Sequence, residues 1–345
     1  MTCENQRLTT VAEIEEVVGR PASMIMLKEV GALDEGSVAV LARSPIAGFG
    51  HRDAAGTSRT TFVGGSPGFV RVHSARRISF SANEPAHGPA SLVFLLPGVG
   101  ETLRVNGSAG TRRGRVVLDV EQVYVHCAQA VLRSGLWKPP VDPTPADVTG
   151  TGPLAQPGVA DFLASAPFLA LSTWDSSRGS DTSPRGDKQT VARILDGRTL
   201  VIPDRKGNKR TDTLRNLVED DRLSFAALVP GRTDVLHVRG RATITVDPAL
   251  LEPLSLRGTP PHAALLVDVE AAELTESDAV AEARLWTPDA HVDRDEAPDM
   301  MALGKAHLAA NTAGVVNLVP VTWLRRLMNL SYRWGLRKEG YDVDR

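Results

Sequence analysis

Short apolar stretches separated by glycine, proline and asparagine dominate both halves of the chain, and they predict β-strands rather than long helices. The strands predicted in the first half are Val38–Leu41, Phe69–His73, Ile78–Ala82, Leu92–Leu96, Thr102–Val105 and Val116–Val123. Those predicted in the second half are Phe168–Thr173, Val191–Leu195, Thr199–Ile202, Leu223–Leu228, Val235–Arg239 and Leu265–Val269. Each set is typical of a small closed barrel, because closure leaves no unpaired sheet edge.

Helical periodicity is confined to short segments between these strands and to the C-terminal tail. The predicted helices are Val11–Val18, Ala160–Ala164, Thr211–Glu219, Pro248–Leu256 and Asp278–Leu285. The tail from Ala297 to Lys338 is predicted to be largely helical, with a break at Pro320. Its segment Thr322–Lys338 is amphipathic, which favours a helix docked on the barrels, or exchanged with a second copy in a homodimer, over attachment to a membrane surface.

The two halves of the chain repeat each other. Leu95–Ala109 (LLPGVGETLRVNGSA) matches Leu228–Ala242 (LVPGRTDVLHVRGRA) at an offset of 133 residues. Two later blocks, VLDVE with LVDVE and LWKP with LWTP, match at an offset of 149, and a weaker match upstream has an offset near 122. Self-similarity of this kind predicts a tandem duplication.

A stretch rich in proline and glycine, Pro139–Gly158, separates the halves and is typical of a linker. The sequence therefore predicts a degenerate barrel in residues 1–140, a linker in 141–158, a second barrel in 159–292 and a helical tail in 293–345.

Composition and charge narrow the class of protein. The 39 Lys and Arg against 41 Asp and Glu give a net charge of −2, so nothing in the overall charge indicates a nucleic-acid partner. Two cysteines, Cys3 and Cys127, exclude a disulfide framework and favour a reducing compartment. The N-terminal segment lacks an apolar signal core, and the apolar stretch Val315–Trp334 is interrupted by proline and arginine. We expect a cytoplasmic protein without a membrane partner.

A basic segment is present in the second half and missing from the first. It contains Gly207 and Asn208 before a predicted helix, together with the cations Arg205, Lys206, Lys209, Arg210 and Arg215. Backbone N–H groups at a helix start lack intrahelical partners, and arginine adds paired donors that match a phosphate. The segment predicts an anion site, with a solvated basic loop as the alternative.

Two further segments carry candidate polar groups. Thr182–Lys188 (TSPRGDK) lies between two predicted strands, and an ordinary hairpin loop explains it equally well. Tyr124–Trp137 (YVHCAQAVLRSGLW) belongs to the first half, and the second half has lost its Tyr, His, Arg and Ser. Because only His126 and Cys127 lie close together, we expect no metal site, and Cys127 is interpreted as a small buried residue rather than a nucleophile.

Each half thus keeps what the other has lost. The first keeps the YVHC…RSGLW element and lacks the basic segment, whereas the second keeps the basic segment and lacks the element. This pattern predicts a single composite site between two pseudo-symmetric barrels, with one wall from each. A homodimer of identical barrels would form two such sites by symmetry.

Four motifs, SPRGD, IPDRKGNKRTDTLRNL, PGRTDVLHVRGRATITVDPALL and YVHCAQAVLRSGLW, resemble the pyridoxamine 5′-phosphate oxidase-like FMN flavoproteins. The resemblance covers roughly residues 10–290 and leaves the tail uncovered. It implies a mainly β fold in which two FMN-binding split β-barrel domains stand in tandem as a pseudo-dimer, followed by the helical tail.

The resemblance also implies roles for individual residues. The FMN phosphate would be held by Arg205, Lys206, Asn208, Lys209 and Arg210. The ribityl chain and the pyrimidine edge would be lined by Ser183, Arg185, Asp187 and Lys188. The isoalloxazine region would be reached from the first barrel by His126, Arg133, Ser134 and Trp137. Gln129 departs from the lysine common in relatives. The TFVGGSP loop of the first half has Val63 opposite Arg185 and Gly65 opposite Asp187, which argues against a second flavin.

The implied function is that of an FMN-dependent oxidoreductase acting on a small organic substrate, with one FMN per chain. No catalytic residue is assigned, because in such enzymes the flavin carries the chemistry and the protein supplies position and electrostatics. The alternatives are a non-catalytic flavin-binding or haem-binding protein and a deazaflavin-dependent reductase. Pyridoxamine 5′-phosphate itself is disfavoured as substrate, since no second basic cluster of phosphate size is present.

Overall fold

The computed structural model describes residues 6–140, 145–177, 179–188, 191–293 and 296–312, together with residues 330, 333, 334, 337 and 341. The predicted break at Pro320 and most of the amphipathic segment Thr322–Lys338 lie outside the described residues, as does Cys3. No helix among the described residues has the length and apolarity needed to span a bilayer.

The first half forms an antiparallel sheet of seven strands. After a two-residue strand β1 (Arg7–Leu8), these are β2 (Ile46–Arg52), β3 (Ser58–Gly64), β4 (Arg71–Ser74), β5 (Arg77–Phe80), β6 (His87–Leu95), β7 (Thr102–Arg112) and β8 (Arg115–His126). Their spatial order is β3-β2-β6-β7-β8-β5-β4.

The second half repeats this sheet strand by strand. Its strands are β9 (Phe168–Asp175), β10 (Gly179–Gly186), β11 (Arg193–Ile194), β12 (Thr199–Asp204), β13 (Arg222–Leu228), β14 (Asp234–Thr245) and β15 (Ala263–Glu276). They lie in the order β10-β9-β13-β14-β15-β12-β11, and β1 pairs with β14 at the side. The matching order supports the predicted duplication.

The prediction of closed barrels is wrong, since neither sheet pairs its first strand with its last among the described residues. The open edges are covered by the opposite half instead. Thr60 of β3 is hydrogen-bonded to Ser224 of β13, and Thr182 of β10 is hydrogen-bonded to Ser91 of β6, both at 2.6 Å between hydroxyl oxygens. One edge strand of each sheet, β3 or β10, is therefore covered by the opposite half. The mainly β, split-barrel architecture predicted from the sequence is confirmed.

Nine α-helices decorate the described part of the chain: α1 (Val11–Val18), α2 (Ser23–Met26), α3 (Glu35–Arg43), α4 (Gln129–Ser134), α5 (Val159–Ser165), α6 (Asp212–Glu219), α7 (Pro248–Leu251), α8 (Asp278–Ala283) and α9 (Met300–Ala310). The predicted strand Val38–Leu41 is wrong, because this segment lies in α3. Asp34 caps that helix by accepting a hydrogen bond from the Ser37 amide at 2.7 Å, and Val40 and Leu41 pack into the core.

Three apolar clusters hold the molecule together. Each half has its own cluster. The third cluster, which includes Ile46, Phe62, Phe168 and Leu228, is shared between the halves. Because burial of apolar surface is the main favourable term in folding, the shared cluster makes the two halves one packed unit.

The chain termini cross over between the halves. Ile14 and Val18 of α1 lie in the core of the second half, whereas Met300 and Leu303 of α9 lie in the core of the first. Each terminal helix therefore packs on the half to which it is not adjacent in sequence, which ties the two sheets together a second time.

Candidate functional site

A cavity that is open to solvent lies between the halves. The first half contributes β7, the end of β8 and α4, and the second contributes β10, the basic loop 205–211 and the first turn of α6. Nine of the thirteen residues predicted from the sequence line this cavity: His126, Arg133, Ser183, Arg185, Asp187, Arg205, Asn208, Lys209 and Arg210. The structure thus brings residues from both halves to one place.

Helix α4 is pressed directly against β10 of the other half. A side chain at Gly186 would place its Cβ 1.9 Å from the backbone oxygen of Ala130, so only glycine permits this approach. Arg133 secures the contact, since its Nε donates to the Gly186 carbonyl at 3.3 Å and its Nη1 donates to the Lys206 carbonyl at 2.8 Å. These bonds fix the first-half wall relative to the basic loop.

The basic loop takes an unusual backbone course before α6. Lys209 and Thr211 both have left-handed conformations, with φ of +59° and +56°. The Asn208 side chain stabilises the turn by accepting a hydrogen bond from the Arg210 amide at 3.1 Å, while the Thr211 side chain caps none of the α6 amides. Successive amides in such turns, and the first amides of a helix, provide an anion with donors.

Two ion pairs hold the arginines at the mouth of the loop. Arg185 Nη1 lies 2.5 Å from Asp204 Oδ1, and Arg205 Nη2 lies 2.7 Å from Asp187 Oδ2. Burial alone would raise the pKa of Asp204, but the neighbouring Arg185 and His262 lower that pKa to about 2. The Asp204 carboxylate is therefore ionised, and the two ion pairs position the guanidinium groups.

A second layer of charge lies beneath the cavity. Arg104, which is 1% exposed, donates to the Asp181 carboxylate and to Ser183 Oγ, the latter at 3.0 Å. The guanidinium of Arg210 stacks 3.8 Å from the centre of the Tyr124 ring and pairs with Glu29 and Asp212.

Sequence reasoning did not assign Arg104 or Asp181 to the site. The sequence feature that could have identified Arg104 is a charged residue between apolar neighbours in a predicted strand.

Three buried guanidinium nitrogens of residues that line this cavity have no hydrogen-bond partner among the described residues. They are Arg104 Nε, Arg185 Nε and Arg210 Nη1. Buried polar groups are nearly always paired, so these donors have capacity left for an acceptor. The charged side chains lining the cavity are also predominantly basic, with six cations against three carboxylates: Arg104, Arg133, Arg185, Arg205, Lys209 and Arg210 against Asp187, Asp204 and Asp212. The cavity fits an anionic ligand.

His126 and Cys127 are both uncharged in this environment. Burial, together with the positive charge of Arg104, lowers the pKa of His126 to about 3. Burial likewise raises the pKa of the Cys127 thiol above its ordinary value. The site therefore offers a neutral imidazole and an inactive thiol, so no nucleophile is present at this wall.

Four of the residues predicted from the sequence do not line the cavity. Lys188 and Lys206 are exposed. Ser134 Oγ donates to the Val131 carbonyl at 2.8 Å within its own helix, and Trp137 Nε1 donates to the Val99 carbonyl at 2.7 Å. Segment Thr182–Lys188, for which a loop was expected, lies mostly in β10, which carries Ser183 and Arg185 into the cavity wall.

A neighbouring cavity shares one wall with the first, at His126, Gln129 and Asn208. Its far side is formed by Lys28 and Glu101 and by Met300, Met301 and Gly304 of α9. Burial lowers the pKa of the Lys28 ammonium. Helix α9 thus lines this neighbouring cavity and contributes no residue to the lining of the basic one.

Residues 155–276 match the family model described as pyridoxamine 5′-phosphate oxidase. The match covers β9 to β15, and therefore the whole second-half wall of the basic cavity. The family predicted from the four motifs is therefore confirmed for this part of the chain: residues 155–276 are similar to the pyridoxamine 5′-phosphate oxidase family.

Several solved structures are similar over single-barrel lengths. HupZ from Group A Streptococcus is 18% identical, with 34% of this chain and 90% of that chain covered and a TM-score of 0.29. An F420 reductase is 18% identical, with 34% of this chain and 96% of that chain covered and a TM-score of 0.27. A putative pyridoxamine 5′-phosphate oxidase from Lactobacillus delbrueckii is 19% identical over 31% and 83%, with a TM-score of 0.25. No curated protein matches the chain.

Proposed function

We propose that the chain binds one FMN in the basic cavity between its halves and acts as an FMN-dependent oxidoreductase on a small organic substrate. The observation that carries this proposal is the set of buried, unpartnered guanidinium donors in Arg104, Arg185 and Arg210, which lie in a cavity lined by both halves. The match of residues 155–276 to the family supports the same assignment.

The basic loop is the natural place for the FMN phosphate. Arg205 and Lys209 reach it from the loop, and Arg185 can exchange its bond with Asp204 for one to the phosphate. Charge-assisted bonds to phosphate are worth about 1.5–3 kcal/mol each, so several of them account for tight retention. Ser183 and Asp187 then line the ribityl chain, since both belong to the β10 side of the cavity.

Bound FMN would supply the acceptance and donation of a hydride or of single electrons. The residues of the chain supply the environment for that chemistry. His126 remains neutral at physiological pH and offers one donor and one acceptor, while Arg133 adds a fixed positive charge on the first-half wall. The neighbouring cavity between β8 and α9 gives a small substrate room beside the shared wall.

The decisive variant is Arg205→Ala combined with Arg210→Ala. Because two charge-assisted contacts are removed, FMN should bind more than about a hundredfold more weakly. The measurement is the absorbance of flavin retained by the purified protein, followed by titration of the apoprotein with FMN. A matched control, Arg71→Ala with Arg112→Ala, removes two exposed arginines from the first sheet and should retain flavin.

Arg210 is buried, so the pair Arg205→Ala and Lys209→Ala provides a milder test that leaves Arg210 in place. Full flavin occupancy in both site variants would contradict the proposal. Mass measurement of the extracted cofactor separates FMN from a deazaflavin and from haem. Reduction of the bound flavin by NAD(P)H, followed by reoxidation, separates an enzyme from a non-catalytic binder.

A further inference from the structure

The strand registers relate the two halves residue by residue. In the first half Ile46 pairs with Gly64, and in the second half Phe168 pairs with Gly186. Strand β3 is therefore equivalent to β10, with an offset of 122 in residue number. In the same way Arg104 pairs with Tyr124 as His237 pairs with Glu273. The registers β7–β8 and β14–β15 also shift at equivalent glycines, Gly107 and Gly240. Residues of the basic cavity that lie on or next to these paired strands therefore have identifiable counterparts, whereas the inserted part of the basic loop has none.

A second cavity lies at the counterpart position. It is lined by β3, the loop after β5, β14, β15 and the start of α8, which correspond to the elements around the basic cavity. Its chemistry differs, because none of the four equivalent arginine positions carries an arginine. The replacements are His237 for Arg104, Glu282 for Arg133, Val63 for Arg185 and Asn83 for Arg205.

The charge of the second cavity is inverted relative to the first. Its rim carries five carboxylates, from Glu84, Glu273, Glu276, Asp278 and Glu282. Two cations, Arg59 and Arg239, also line it, and Arg59 Nε already lies 3.4 Å from Asp53 Oδ2 and 3.8 Å from Glu84 Oε2. The rim therefore attracts positive charge rather than phosphate.

The floor of this cavity contains unpartnered buried groups. His51 is 1% exposed, and neither of its ring nitrogens has a hydrogen-bond partner among the described residues. The buried hydroxyl of Ser58, on the same lining, is also without a partner there. The pairing of β2 with β6 shifts register between Gly50 and Arg52, a bulge of the kind that re-aims a side chain at functional sites.

Both histidines of the cavity are acceptors. Burial lowers the pKa of His51 to about 4 and also lowers that of His237, so the two rings are neutral at physiological pH. His237 Nδ1 lies 2.9 Å from the Thr60 carbonyl oxygen and must donate to it, which leaves Nε2 with a lone pair. A neutral imidazole of this kind accepts a hydrogen bond from an ammonium group.

We propose that the second cavity binds a small organic cation, namely a protonated amine on an apolar body. The ammonium group would be held by the acidic rim and by the imidazoles of His51 and His237. The apolar body would pack on Phe62, Val63 and Val238, which form part of the lining. No group of three or more His, Cys, Asp or Glu side chains in the described part of the chain is arranged to hold a metal ion, which favours an organic cation.

The proposal is independent of the function assigned to the basic cavity, and the holoprotein is used to test it. Isothermal titration with benzylammonium chloride should give one binding event per chain, whereas benzyl alcohol and benzoate should bind at least about tenfold more weakly. Equal binding of the alcohol, or no binding of benzylammonium at millimolar concentration, would overturn the proposal.

Two variants locate the binding event. Glu273→Gln with Glu282→Gln removes two exposed rim charges and should weaken benzylammonium binding about tenfold, while the surface control Glu16→Gln should not change it. Val63→Arg restores a cation at the position equivalent to Arg185 and should abolish the binding without loss of flavin. Unchanged benzylammonium affinity in both site variants would place the amine elsewhere and refute the assignment.

Discussion

Arg185 Nη1 and Asp204 Oδ1 lie 2.5 Å apart, at the ends of β10 and β12 where these strands enter the basic cavity. The other carboxylate oxygen of Asp204 lies 3.2 Å from His262 Nε2. Both partners are largely buried, so this is a positioning contact between two strands that are not neighbours in the sheet. The strength of the Arg185–Asp204 ion pair can be measured through the titration of the Asp204 carboxylate.

Asp204→Asn should lower the free energy of unfolding at pH 7 by about 2 kcal/mol, because the folded-state pKa of Asp204 is about 2 against an ordinary 3.8. A lowered carboxylate pKa stabilises the fold above about pH 4, and this stabilisation is lost as the pH falls toward 2. Urea unfolding at several pH values should therefore show a constant difference from pH 7 to 5 that shrinks below pH 4. The exposed control Asp289→Asn should show no difference, and equal stability of Asp204→Asn and the parent at pH 7 would contradict the prediction.

The strands that the sequence pattern missed are those with unusual packing. β2 contains Gly48 and Gly50, which suggest a turn, yet both glycines are required by the opposite sheet. A Cβ at Gly48 would lie 2.7 Å from the Ala170 side chain, and one at Gly50 would lie 2.1 Å from Ser172 Oγ. Pro184 likewise indicates a loop, but β10 is an edge strand, where the missing proline donor costs little. Contacts between the halves, rather than local propensity, therefore determine that β2 and β10 form strands.

The site was predictable where a charged motif is contiguous in the chain. The basic loop lines the cavity except at Lys206, and Ser183 and Arg185 of β10 line it as well. Trp137 does not, because its indole N–H is used by the Val99 carbonyl on an adjacent loop. Which of several polar side chains turns inward depends on tertiary hydrogen bonds that spacing alone does not encode.

Gly186→Ala should detach α4 from β10. The new methyl would lie 1.9 Å from the Ala130 carbonyl oxygen, and a backbone atom cannot rotate away, so the helix and the Arg133 contacts must move. We expect destabilisation of about 1–3 kcal/mol and loss of most bound flavin. The matched control is Gly110→Ala, since a Cβ there has no atom within 4 Å. Thermal unfolding and flavin content measured on both variants test the prediction, which fails if the two behave alike.

Acid should weaken the fold through its buried histidines. The pKa of His126 is about 3, below the ordinary 6.5, because burial and Arg104 disfavour its charged form. The unfolded chain therefore binds a proton that the folded chain does not, so this stabilisation is complete above about pH 6.5 and is lost as the pH falls toward 3. His126→Gln should reduce the slope of unfolding free energy against pH by about 1.4 kcal/mol per unit between pH 6 and 4.

The exposed His87, replaced in the same way, provides the comparison for this slope. His87→Gln should follow the parent curve throughout the range. A His126→Gln curve parallel to that of the parent would show that His126 is protonated in the folded state, contrary to the burial described for it.

The tail helix α9 should contribute to stability more than to flavin binding. Leu303 is 5% exposed in the core of the first half, where a Cβ on Gly36 would lie 2.8 Å from its Cδ1. Leu303→Ala should therefore lower the free energy of unfolding by about 2–4 kcal/mol through lost burial and the cavity left behind. Flavin affinity of the folded variant should stay within about twofold of the parent, because α9 lines the neighbouring cavity and not the basic one. The control is Leu195→Ala, because Leu195 is 38% exposed; in urea unfolding it should lower the free energy of unfolding much less than Leu303→Ala does. A large loss of flavin in Leu303→Ala would contradict the prediction and assign α9 a direct part in holding the cofactor.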